Sequence, residues 1–127
     1  MNQLLRSVLF IVAVGAVGAA CDVPGGQACP AIAAANFNIT VVDAVTSQRI
    51  CDATIVATET STGSTMNLMA FGSGADCGYS GGFYERPGTF SLAASKTGYL
   101  TTTHSGVVIT KGVCNINPVT LTLKLGK

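Results

Sequence analysis

The residues of this chain that could do chemistry are few: Cys21, Cys29, Cys51, Cys77, Cys114, a single histidine, His104, and a thin scatter of carboxylates. Five cysteines cannot all pair within one molecule, so one is a free thiol, an intermolecular partner or an attachment point. His104 sits in a Thr/Ser-rich stretch with no His, Asp or Glu close by in sequence. A metal centre or a base–nucleophile pair needs convergent partners, so His104 reads as a surface or edge-strand residue. Asp76 and Glu85 flank a Gly-rich segment that carries Tyr79, Phe83 and Tyr84. Those three rings are the candidate ligand-binding surface, for sugar or peptide. The competing reading packs one ring inward and leaves the others covering a loop. Asp43, Asp52 and Asp76 lack the spacing of a calcium loop. Gly72-Ser73-Gly74 is too short to cradle a phosphate, and the acceptor motif Asn38-Ile39-Thr40 falls inside an expected strand. No catalytic residue, metal or cofactor is expected.

The elements that hold these residues begin with a leader. Arg6 is followed by an uncharged, mostly aliphatic run over residues 8–20. That run is shorter than the roughly 20 apolar residues of a membrane span. It suits a secretory h-region, and Gly18-Ala19-Ala20 suits a cleavage site. Residues 1–20 therefore read as a signal peptide. Removing Arg6 brings the basic and acidic residues into balance, and no basic stripe offers itself to nucleic acid. Residues 21–36 read as a tether, broken by Pro24, Gly25, Gly26 and Pro30.

From Phe37 the pattern is period two, the mark of half-buried strands. Strands are expected at residues 37–41, 53–58, 66–70, 83–85, 89–94, 101–110 and 119–125. Turns are expected at residues 43–49 and 61–64, at Pro87-Gly88 and at Gly98-Tyr99. Gly106 is a candidate bulge. Residues 72–82 and 111–118 read as loop. Seven short strands with no helix predict a single domain, residues 37–127, folded as a β-sandwich of two antiparallel sheets.

Three stretches resemble a known family: ITVVDAVTSQRICDATIVA, GGFYERPGTFSLAASKTGY and VTLTLKL. Asp43 ends the first strand and Ala53 opens the second. Pro87-Gly88-Thr89-Phe90 precedes Gly98-Tyr99. This order resembles the carboxypeptidase regulatory-like domain, a transthyretin-like, Ig-like seven-stranded sandwich. Ser47-Gln48 stands where the family usually has Thr-Gly, and the loop before Gly82 is longer. The resemblance implies a structural or binding module without catalytic residues. A hydrolase of the same fold class uses several histidines and a different carboxy-terminal motif. Gly18-Ala19-Ala20-Cys21 resembles a bacterial lipobox, with Gly18 where Leu is usual. It implies a diacylglyceryl-modified Cys21 and a membrane partner through that lipid.

Strand parity then pairs the other four cysteines. If seven strands run up and down, Cys29 and Cys114 lie at one end of the sandwich, and Cys51 and Cys77 at the other. Strands of five or six residues hold the ends roughly 17–20 Å apart, and a disulfide needs Cα atoms within about 7 Å. The expected bonds are Cys51–Cys77 and Cys29–Cys114, as an oxidising compartment would allow. The expectation is a non-enzymatic envelope lipoprotein, exported and membrane-anchored, with a structural or protein-binding sandwich. The alternative is a carbohydrate-binding module of the envelope.

Overall fold

Alternating burial along the chain builds strands from Phe37 onward. The computed structural model describes residue 29 and residues 31–127. The expected signal peptide, Cys21, the expected tether as far as Ala28, and Pro30 lie outside the described residues. Among the described residues nine strands form: β1 (Phe37–Asp43), β2 (Thr54–Glu59), β3 (Thr65–Asn67), β4 (Met69–Phe71), β5 (Gly78–Gly81), β6 (Gly88–Ser95), β7 (Thr102–Lys111), β8 (Ile116–Asn117) and β9 (Val119–Leu125). A 3-10 turn, Gly74–Asp76, precedes β5. One sheet has the order β4-β5-β1-β9 and the other β3-β2-β6-β7-β8. They pack into an all-β sandwich.

The core lies between the two sheets. Phe37, Ile39, Val41 and Tyr79 face Ile55, Phe90, Leu92 and Ile109, all buried. Phe37 meets Phe90 edge-on at 5.4 Å, and Phe83 lies at 5.4 Å from the same ring. Such contacts add to the area that three phenylalanines already remove from water.

Several expectations change in detail. The strand expected at 83–85 is a turn. The strand that takes its place is β5, within the segment that reads as loop. Gly78 precedes Tyr79 there because the Phe71 ring approaches the backbone. A Cβ on Gly78 would lie 2.8 Å from the Phe71 ring. Residues 66–70 are not one strand. Leu68 still donates its N–H to Ile55 O at 2.9 Å, and then the chain leaves β2 and pairs with β5 as β4. Residues 111–118 contain β8, which pairs with β7 before Pro118 releases the chain into the other sheet as β9. The turn before β6 is at Tyr84 and Glu85, and Gly88 already belongs to the strand.

Nor are both sheets antiparallel throughout: β1 pairs with β9 in parallel, Phe37 opposite Val119 through Asp43 opposite Leu125. The count of crossings explains this. With β3–β4 and β8–β9 each taken as one crossing that changes sheets, the chain crosses the sandwich seven times. The first and seventh crossings then run the same way. Gly106 (φ 71) sits in a bulge, where the β6–β7 register shifts between Phe90 and Leu92.

The bonds Cys29–Cys114 and Cys51–Cys77 both form, with Cα atoms 5.0 Å and 5.6 Å apart. They close opposite ends of the sandwich.

Candidate functional site

Polar and charged side chains gather at those two ends. At the Cys51–Cys77 end the β1–β2 connection folds on Asp43. Its Oδ1 accepts the N–H groups of Val45 (2.8 Å) and Thr46 (3.0 Å), and its Oδ2 accepts the Tyr99 hydroxyl (2.8 Å). These donors, Thr46 first, with Lys127 nearby, lower its pKa to about 2. Ser47 completes the turn with φ 60, a left-handed conformation that non-glycine residues rarely hold. Arg49 extends to donate to Cys77 O at 2.7 Å. Asp52 is ion-paired with Lys96, and the hydrogen bond from that ammonium holds its carboxyl below the usual range.

The result is a trough of about 420 Å³ lined by Asp43, Gln48, Arg49, Asp52, Lys96, Tyr99 and Lys127. Hollows to either side continue it, one sharing Gln48 and Arg49, the other Asp43 and Lys127. The Lys127 ammonium lies 5.2 Å from the Tyr99 ring centre, which favours cation and ring together. The trough mixes both signs of charge around an aromatic edge. Asp43 is engaged by three donors of the protein itself, whereas Asp52 is paired through one oxygen with Lys96 and is otherwise exposed.

The other end carries the Cys29–Cys114 bond. Glu85 adopts φ 54 and uses both carboxylate oxygens as a clamp. Oε1 accepts the Ala34 N–H and Oε2 accepts the Ile116 N–H. Asn115 donates to Ile32 O at 2.9 Å. Asn36 is fully buried and donates to Arg86 O at 3.0 Å. The last residues of the tether are thus docked on the sandwich. Among the described residues no group of three His, Cys, Asp or Glu side chains is placed to hold a metal ion.

The chain matches no protein-family model and no curated protein.

The three rings singled out from sequence do not share a surface. Tyr79 is buried, with its hydroxyl donating to Ile50 O and accepting the Ala53 N–H, both at 2.8 Å. Burial raises its pKa above the ordinary tyrosine value. Phe83 is buried beside Phe90, with the Arg86 guanidinium 5.2 Å from its centre. Tyr84 alone is exposed. A sugar platform needs accessible ring faces, and this set offers one. Asp76 ends the 3-10 turn near the trough end, whereas Glu85 belongs to the clamp. His104 is exposed on β7.

The residues that sequence pattern left unmarked are Arg49, Lys96 and Lys127, which join Tyr99, marked from sequence as part of a turn. They lie far apart in the chain and meet only where two turns and the end of β9 converge. The one local signal was Asp43 followed by Thr46, the spacing of a side chain that caps its own turn.

Proposed function

We propose that the protein is a non-enzymatic lipoprotein of a bacterial envelope, exported and anchored through Cys21, whose sandwich serves as a structural or protein-binding module. The observation that carries this reading is the partition of the cysteines. Four of the five are spent on Cys29–Cys114 and Cys51–Cys77. Cys21, next to the small residues of a lipobox-like leader, has no cysteine left to pair with in its own chain. The disulfides also accord with an oxidising compartment. The commitment of Asp43, Asp52, Glu59 and Glu85 to turns, ion pairs and the tether supports a binding rather than a catalytic role. Cys29–Cys114 fixes the tether at one end, and the trough opens at the other, clear of it.

An acyl chain contributes about 0.8 kcal/mol per buried methylene, and stable anchoring takes more than one chain. Detergent phase partitioning tests the reading. Wild type is expected in the detergent phase and labelled by radioactive fatty acid, and Cys21→Ala in the aqueous phase without label. Equal aqueous partitioning of both sinks the anchor.

A further inference from the structure

β3 and β4 are edge strands, one in each sheet, joined through Leu68. Every residue of both strands is exposed, and Leu68 between them is the one buried side chain. Met66 is 40% exposed, Met69 73% and Phe71 52%. β3 pairs only with β2, and β4 only with β5. The outer backbone groups of both strands therefore face solvent. No ionisable side chain, proline or bulge interrupts the segment, and none of residues 60–75 is charged.

The β7–β8 edge of the five-stranded sheet is guarded. β7 carries the Gly106 bulge, His104 and Lys111. Its two ends are tied down, by β8 at Thr110 and Lys111 and by Thr102 Oγ1 donating to Lys124 O at 3.0 Å. Bulges, charges and coverings are the usual means of blocking strand addition. The β3–β4 edge has none of these and is guarded only by the shortness of its strands, three residues each.

We propose that this edge is a homodimer interface, in which β4 pairs antiparallel with β4 of a second copy about a twofold axis at Ala70. In that register Met69 faces Phe71 of the second copy, and the same pair recurs across the axis. Met69 and Phe71 lie on one side of the sheet, set by the pairing of Met69 with Ser80 and of Phe71 with Gly78. Two methionine–aromatic contacts are favourable, and Ala70 against Ala70 is small enough not to hold the strands apart. An uncharged edge brings no like-charge repulsion when it meets itself. It also offers no charge for a different partner to read. Tyr84, 55% exposed, extends the apolar patch near Gly81.

So short an edge buries less than the roughly 800 Å² per partner of a standard interface, so association is weak. Antiparallel pairing sends the two tethers off opposite ends. On the lipoprotein reading, residues 21–28 reach at most about 28 Å, further than a seven-residue strand of about 23 Å. Both lipids then reach one membrane with the strands lying along it.

Sedimentation of the full chain in detergent, from roughly 1 to 100 µM, tests the proposal. Wild type is expected to dimerise. Met69→Lys and Phe71→Glu each raise the dissociation constant at least tenfold, with circular dichroism and both disulfides unchanged. Mixing M69K with F71E places Lys opposite Glu and restores the dimer, whereas mixing M69K with M69E does not. Cys21→Ala leaves the dimer intact, which separates this test from that of the anchor. A wild type that stays monomeric throughout overturns the proposal, as does a dimer indifferent to both substitutions or rescued equally by the two mixtures.

Discussion

Asp43 shows how much one carboxylate can organise. It ends β1, caps the following turn through two backbone N–H groups, and ties that turn to the β6–β7 connection through Tyr99. Its pKa near 2 lies below the usual 3.8. A carboxylate with a depressed folded pKa binds its proton less readily in the fold than in the unfolded chain. Its contribution is therefore complete above about pH 4 and is lost as the pH falls through about 2. Asp52 and Glu59 shift the same way, Asp52 through Lys96 and Glu59 through Ser61 and then Arg86. Asp43→Asn is expected to lower the melting temperature at neutral pH and to flatten its decline between about pH 4 and pH 2. Thermal melts across that range check this, and an acid limb as steep in the variant as in wild type would refute it.

Among the elements, β5 is the case where local signals mislead. Its composition, glycine on both sides of one tyrosine, reads as loop because glycine is depleted in strands. Packing overrides that preference. Tyr79 fills the core, and Gly78 and Gly82 leave room for the Phe71 and Phe37 rings. At Gly82 the backbone has φ 92, and an added Cβ would lie 2.6 Å from the buried Phe37 ring. Gly82→Ala should therefore cost roughly 1–3 kcal/mol, the range for forcing an extra carbon into a filled core. Urea unfolding against wild type measures it, and a change under about 0.5 kcal/mol, the usual scatter of surface substitutions, would contradict the packing described. The sheet changes at Leu68 and Pro118 are equally hidden from local pattern. Alternation shows which side chains face inward, but both sheets share one interior. A strand can pass between them without breaking its period until a pairing partner is known.

For the molecule as a whole, two covalent bonds brace a modest core. On the loop-entropy account, the 26-residue separation of Cys51–Cys77 and the 85-residue separation of Cys29–Cys114 correspond to about 3.5 and about 4.5 kcal/mol. The paired variants Cys51→Ala/Cys77→Ala and Cys29→Ala/Cys114→Ala are expected to lose stability in that order, the second losing more. Limited proteolysis distinguishes them further. The second variant is expected to be cut first near residues 31–36, then held by hydrogen bonds to Glu85, Arg86, Asn115 and Val119 without the covalent tie, and the first is not. Equal losses with identical cleavage patterns would argue against the two bonds having separate roles at separate ends.

Whatever depends on alternation and on counting was legible in the chain before it folded. Period two gave the sheet class, β9 within its exact bounds, and the inward residues Phe37, Ile39, Ile55, Phe90 and Leu92. The parity of seven crossings gave both disulfides, because a bond of about 7 Å cannot span a strand's length. It survived the misplaced fourth strand because β5 crosses the sandwich in the same interval between Cys77 and β6. Which strands pair is a matter of the folded molecule alone. Folding set β1 beside β9 in parallel, split the third and seventh crossings between sheets, and buried Tyr79 and Phe83. It also drew Arg49, Lys96, Tyr99 and Lys127 into one trough. The physical reason is that alternation is a property of neighbours in the chain, whereas pairing and site assembly follow from how two layers close over a shared core.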